Sequence, residues 1–220
     1  MLYSNKRFLN KNIFVTLLCS FGLSTLGMLI AVWLKFENQI IGLIIQDILF
    51  IVAILLFFKR EKIQPQDIGW KKTPLLSSLW FALRIWFPTM IGVGIIGYYA
   101  SNIPGFQAQP SYQSLFGDTL LTHVIFIILA AIVAPIIEES MFRGILLPWM
   151  MQYLKAPYAI ILNGIVFGVL HLQFQSAIPL SIIGIALAFI AYRKKSLLPS
   201  ILFHAINNSI AIIALLYSST

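Results

Sequence analysis

Apolar residues run along this chain in long unbroken blocks, separated by short polar stretches that carry Lys, Arg, Pro and Gly. The blocks cover roughly residues 13–34, 40–58, 75–99, 119–153, 157–175, 177–192 and 197–217. A membrane-spanning helix needs about 20 mostly apolar residues, and several blocks approach or exceed that length. They are continuous rather than alternating, which excludes a membrane β-barrel. The pattern therefore predicts an all-α fold: a polytopic helical membrane protein with about seven transmembrane helices, forming one integral membrane domain over residues 1–220. The block 119–153 is too long for one ordinary span. It is either two short helices or one long helix that protrudes from the membrane.

Composition agrees with the pattern. Sixty per cent of the residues are hydrophobic, ten per cent are charged, and the mean hydropathy is +0.91. A soluble domain carries about 25% charged residues. The net charge of +8 does not point to nucleic acid, because the basic residues sit in short clusters between apolar blocks, as in cytoplasmic loops. The clusters are Lys6, Arg7 and Lys11; Lys59, Arg60, Lys62, Lys71 and Lys72; and Arg193, Lys194 and Lys195. The polar connection 100–118 carries no basic residue, nor does the C-terminal tail; Lys35 alone falls on the poor side. These positions alternate correctly only if 119–153 crosses once, which places the N-terminus in the cytoplasm and the C-terminus outside. The single cysteine, Cys19, lies in the first block, so an internal disulfide and a cysteine-based metal cluster are excluded. That block is too long for a signal-peptide core and reads as an uncleaved first span. Gly164 and Gly168 in "GIVFG" form a face for close helix packing.

Ionisable groups inside a bilayer are costly and point to function. Here they are Asp47, Arg84, His123, Glu138, Glu139, Arg143, His171 and His204, with the amides Asn163, Asn207 and Asn208. Glu139 and Arg143 stand four apart, so they share a helix face and can pair. Glu138 is rotated by about 100° from Glu139 and faces elsewhere. His204 and Asn208 also share a face; Asn207 is the weaker rival. If the turn between the fourth and fifth spans falls at Lys155–Pro157, Glu138 and His171 sit at nearly one height, roughly 24–26 Å from that turn at 1.5 Å per residue. His204 matches them only if this hairpin protrudes about 10 Å further than the following cytoplasmic turn. Pro135 would weaken the helix and help to aim Glu138. Asp47, Arg84 and His123 are isolated in the sequence, and local pairing, snorkelling or cavity lining accounts for them.

Three strings stand in order: Glu138-Glu139-Ser-Met-Phe-Arg143, Phe167-Gly-Val-Leu-His171 and His204-Ala-Ile-Asn-Asn208. Together they resemble the EExxxR, FxxxH and HxxxN motifs of the CAAX protease and bacteriocin-processing family of intramembrane proteases, also called the Abi family. The match covers about residues 119–210. The resemblance implies an endopeptidase in which Glu138 and His171 activate a water while His204 and Asn208 hold the oxyanion. Glu139, Arg143 and Phe167 would support them. Peptide hydrolysis needs such a base and such donors. No serine or cysteine nucleophile stands beside a histidine, so water is favoured over an acyl-enzyme. Two histidines and a glutamate can also hold catalytic zinc; Glu138, His171 and His204 would be the ligands. HExxH is absent, and Asn208 fits an oxyanion donor better than a ligand. A metal-free glutamate mechanism is therefore favoured, with zinc as the alternative.

The expected substrate is a hydrophobic peptide or the end of a membrane protein, met within the lipid bilayer. Short loops suggest a bacterial cell membrane. Bacterial relatives are linked to bacteriocin self-immunity and peptide maturation. Two other classes compete: a non-catalytic immunity or binding protein, and a transporter using the carboxylates as a proton relay. A transporter more often shows related halves, and no internal repeat is visible.

Overall fold

The computed structural model describes residues 39–102, 119–171 and 174–217. The first predicted span with Cys19, the N-terminal basic cluster and most of the 100–118 connection lie outside the described residues. Six helices match predicted spans two to seven: α1 Gln39–Glu61, α2 Leu75–Ser101, α3 Leu120–Met150, α4 Ala156–Leu170, α5 Ala177–Lys194 and α6 Leu198–Tyr217. No strand occurs among the described residues. Helices α2, α3, α5 and α6 are long and apolar enough to cross a membrane, and α4 is a shorter apolar helix. With its apolar helices on all sides, this is an integral membrane protein.

The long block at 119–153 forms one helix, Leu120–Met150, rather than two. Thr119 caps it, accepting a hydrogen bond from the Thr122 amide at 3.2 Å. The helix widens twice into π-type turns, at Leu129–Val133 and Ser140–Leu146. Each widening ends shortly before a proline, Pro135 or Pro148, whose missing N–H breaks the regular ladder. Wide turns of this kind gather at functional sites.

Helices α4 and α5 form the most closely packed pair. The predicted glycine face is what permits it. A Cβ on Gly164 would collide with the Ile185 backbone, and one on Gly168 with Ser181 and the Ala177 carbonyl. Gly184 completes the seam from α5: its Cβ would fall 2.8 Å from the Gly164 carbonyl oxygen. Around this seam lies one large core, with Phe167, Leu187, Ile190 and Phe203 almost wholly buried.

The connection between α1 and α2 is an ordered strap, residues 62–73, not a loose loop. It turns through Pro65–Ile68 and a left-handed Gly69, φ 101°. Ile68 is fully buried. Its carbonyl lies so near α3 that a Cβ on Gly144 would approach it to 2.9 Å. The next residue, Gly69, accepts a hydrogen bond from the Leu197 amide at 3.0 Å, at the turn before α6. The strap thus puts Gly144 and Leu197 at nearly one level. Past Gly144, α3 runs six residues further to Met150, about 9 Å at 1.5 Å per residue. The α3–α4 hairpin therefore extends beyond the α5–α6 turn by close to the ~10 Å anticipated from the heights.

Candidate active site

The same levels bring the site together. Glu138 is six residues before Gly144 and His204 seven after Leu197, each about 9–10 Å along its helix. Glu138 and His204 meet there: Glu138 Oε2 lies 3.9 Å from His204 Nε2 and, equally, 3.9 Å from His171 Nε2. The three groups predicted to share a height do so. Glu138 Oε2 is buried and has no hydrogen-bond partner within the protein.

Glu139 faces the other way, as its rotation requires. Its Oε1 accepts from Arg143 Nη1 at 2.9 Å, and both side chains are wholly buried. Arg143 Nη2 donates to the Gly184 carbonyl at 3.0 Å, and the guanidinium stacks 4.4 Å above the Phe167 ring. One planar cation thus joins α3, α4 and α5, a task suited to the arginine fork. Phe167 also lies edge-on to the rings of Phe142, His171 and His204. The phenylalanine of FxxxH is thus the hub on which the cation and both imidazoles rest.

Glu139 has a second bond that the spacing did not reveal. Its Oε1 also lies 3.0 Å from His204 Nδ1. A carboxylate there fixes the ring with Nδ1–H donating and Nε2 turned toward Glu138. His171 is oriented in the same way by a different acceptor, the Phe167 carbonyl, 2.7 Å from its Nδ1. His171 does not lie deep within a span, as the block 157–175 suggested. Helix α4 stops at Leu170, and His171 is its C-cap with φ −71° and ψ −9°. The imidazole satisfies a carbonyl of the last turn that would otherwise lack a donor.

Asn208 is placed differently from a free oxyanion donor. Its Nδ2 donates to the Ala130 carbonyl at 2.9 Å. Ala130 lies five residues before Pro135, in the π-type turn, where a proline nitrogen cannot donate back. The amide thereby makes good a bond that Pro135 removes, and one of its two N–H groups is committed. Asn163 also reaches α3 at the second widening, donating to the Phe142 carbonyl at 2.9 Å, an oxygen that the Leu147 amide bonds as well. Its presence in a span was legible from sequence; its partner was not.

Three further polar residues divide. Asp47 is half-buried on α1, which packs against the Glu138 turn of α3, and lies within electrostatic reach of Glu138. It was isolated only in sequence. His123 is half-buried 15 residues before Glu138, about 22 Å along α3, and Arg84 is exposed on α2. Neither is brought to the site.

The donors a zinc ion would use are Glu138 Oε2 and the two Nε2 atoms. Ligands at ~2.0–2.1 Å from a tetrahedral zinc stand about 3.4 Å apart, and here the glutamate oxygen is 3.9 Å from each imidazole. Among the described residues no group of three His, Cys, Asp or Glu side chains is arranged to hold a metal ion. As placed, these donors stand wider apart than the ligands of a zinc ion, and no step below is routed through a metal.

A carboxylate facing two oriented imidazoles, inside a bundle of apolar helices, defines a membrane protein with a buried acid–base site. Residues 120–210 match the family of Rce1-like proteins, described as type II CAAX prenyl endopeptidase Rce1-like. All three motif strings fall inside that stretch, so this region is of the CAAX protease kind that the motifs resemble. The chain is also similar to "Putative membrane peptidase YdiL" of Bacillus subtilis (strain 168). The two are 25% identical over 170 residues, covering 77% of this chain and 69% of that protein. No solved structure matches the chain. The chain is thus a membrane protein whose residues 120–210 resemble the CAAX protease kind, and over most of its length it is similar to a membrane peptidase.

Proposed function

We propose that the protein is an intramembrane endopeptidase that hydrolyses a hydrophobic peptide, or the end of a membrane protein, with a water activated by Glu138 and His171. The observation that carries this reading is the placement of Glu138 Oε2 at 3.9 Å from both imidazole Nε2 atoms. Ionised Glu138 takes a proton from a water, and the water oxygen attacks the scissile carbonyl. His171 holds the same water through its Nε2 lone pair, since its Nδ1 is turned to the Phe167 carbonyl. Negative charge then develops on the carbonyl oxygen. His204 serves it as a donor when protonated at Nε2, a charge that Glu139 supports from the Nδ1 side. The second N–H of Asn208 is the other donor. Collapse of the intermediate expels the amine, which takes the proton held on Glu138.

This mechanism needs no metal, and it is carried out where the substrate already lies, in the bilayer. The basic clusters support an orientation with the N-terminus in the cytoplasm and the C-terminus outside, in a bacterial cell membrane. A role in bacteriocin immunity or in peptide maturation would both use this one activity.

Purified protein in proteoliposomes, offered a library of hydrophobic peptides, tests the reading. Wild type is expected to cleave, with Glu138→Ala and His171→Ala about 10²–10⁴-fold slower, the range expected when a positioned base is lost. Equal cleavage by all three would overturn it. Metal analysis of the same preparations separates the two chemistries: stoichiometric zinc that disappears with activity in Glu138→Ala would replace the metal-free mechanism.

A further inference from the structure

The strap at residues 62–73 takes no part in the chemistry above, yet it touches both helices that carry the site. Three polar ties hold it. Trp70 Nε1 donates to Ser140 Oγ at 3.1 Å, and Ser140 in turn donates to the Ile136 carbonyl at 2.7 Å. The Leu197 amide donates to the Gly69 carbonyl at 3.0 Å. Thr73 and Ser196 hydroxyls lie 3.4 Å apart. The first tie is to α3, one residue from Glu139 and two from Glu138. The other two are to the turn that starts α6, seven or eight residues before His204.

Packing reinforces the ties. Ile68 is fully buried against the glycine that follows Arg143, and any Cβ there would press on the Ile68 backbone. Gly69 holds φ at 101°, a conformation side-chain-bearing residues rarely adopt. The strap is thus a rigid piece with one edge on Gly144 and the other on Leu197. Because Glu138 and His204 are six and seven residues from those two points, the strap sets their relative height.

We propose that the strap is a positioning device for the site, with Trp70 a positioning residue that acts through Ser140 on the Glu139–His204 bond and so on Glu138. Without the Trp70 tie, the π-type turn beginning at Ser140 is free to change its rotation relative to α6. Glu139 then no longer fixes the His204 ring, and Nε2 leaves Glu138. Trp70 itself touches no reacting atom.

The kinetic consequence rests on the peptidase reading; the geometric one does not. The chain has three histidines, so ¹⁵N-histidine spectra of the full-length protein in nanodiscs can be assigned with single His→Gln variants. In Trp70→Phe, which keeps a ring and removes the donor, the His204 ring nitrogens are expected to shift while those of His123 do not. The kcat falls about tenfold at nearly constant KM, the scale of one lost hydrogen bond. Ser140→Ala gives the same shift, and the double variant is no worse than either single one. Gly144→Ala, which displaces the strap without touching Trp70, moves the same resonances and covers the case in which Trp70→Phe fails to fold. Unchanged His204 resonances in variants that merely lose thermal stability would overturn the proposal and leave the strap a packing element. If wild type cleaves no peptide, the His204 resonances still decide on the strap, and the failure belongs to the peptidase reading alone.

Discussion

Adjacent glutamates with opposite fates are the clearest lesson at the residue scale. Glu139 is fully buried, bonded to Arg143 and His204, and shares its arginine with the Gly184 carbonyl. Glu138 is partly open and bonded to nothing in the protein through Oε2. Their neutral substitutes should therefore separate function from stability. Glu138→Gln is expected to abolish turnover and leave the thermal midpoint in detergent within about one degree, since no hydrogen bond inside the protein is lost. Glu139→Gln strands a buried guanidinium, and breaking such a pair by removing one partner costs about 3–5 kcal/mol. Its midpoint should fall by several degrees, with activity lost as well because His204 loses the carboxylate charge that supports its imidazolium from the Nδ1 side. Equal midpoints for the two variants would show that the Glu139 pair carries no net stability. The division between the glutamates was legible in the sequence, because residues four apart share a helix face and neighbours do not. The Glu139–His204 bond was not, since it joins residues 65 apart through a rotation that only packing defines.

At the scale of single helices, α3 departs most from the regular pattern. Apolar blocks foretold where each described helix runs, because bilayer-length runs leave little choice. They could not foretell that α3 widens at Leu129–Val133 and Ser140–Leu146, since such turns depend on which neighbour supplies a donor. At the first the supplier is Asn208, for the Ala130 carbonyl; at the second Asn163 adds a bond to the Phe142 carbonyl, which keeps its backbone donor. The HxxxN asparagine is thus a helix brace as well as a candidate oxyanion donor, and the two roles can be parted. Asn208→Ala should lose about 1–3 kcal/mol, the penalty for a buried carbonyl left without a donor. Pro135→Ala restores a backbone N–H on the same turn. The double variant Pro135→Ala/Asn208→Ala should therefore regain thermal stability relative to Asn208→Ala while remaining inactive. A double variant no more stable than Asn208→Ala alone would show that the brace does not answer to Pro135. Ending α4 at His171 was likewise hidden, for the apolar run continues past it while the imidazole takes the Phe167 carbonyl.

The molecule as a whole is ordered by height. Exposed Lys59, Arg60, Lys62, Lys71, Lys72, Lys155, Arg193, Lys194 and Lys195 all fall in the last helical turns or the connections at one end of the described helices. The strap lies among them, and the site stands about 9–10 Å beyond it along α3 and α6. Positive charge clusters on the cytoplasmic side of membrane proteins, so this end should face the cytoplasm and the connection at 100–118 the outside. Cys19 is the sole native cysteine, which makes the test direct. In a Cys19→Ser background, Lys72→Cys and Lys195→Cys should resist a membrane-impermeant maleimide on intact cells and react after lysis. Ser114→Cys should react in both. Labelling of Lys195→Cys but not Lys72→Cys from outside would mean an extra crossing between Lys72 and Lys195. The single passage of α3 would then be wrong, and with it the antiparallel course of α3 and α4 on which the shared height of Glu138 and His171 depends. Labelling of Lys72→Cys and Lys195→Cys from outside with Ser114→Cys protected would have another meaning: that the whole bundle is inverted. The counted heights would survive that result, because they are measured from the turns and not from the membrane. The site would then open toward the opposite compartment, and the peptides it meets would be those presented there.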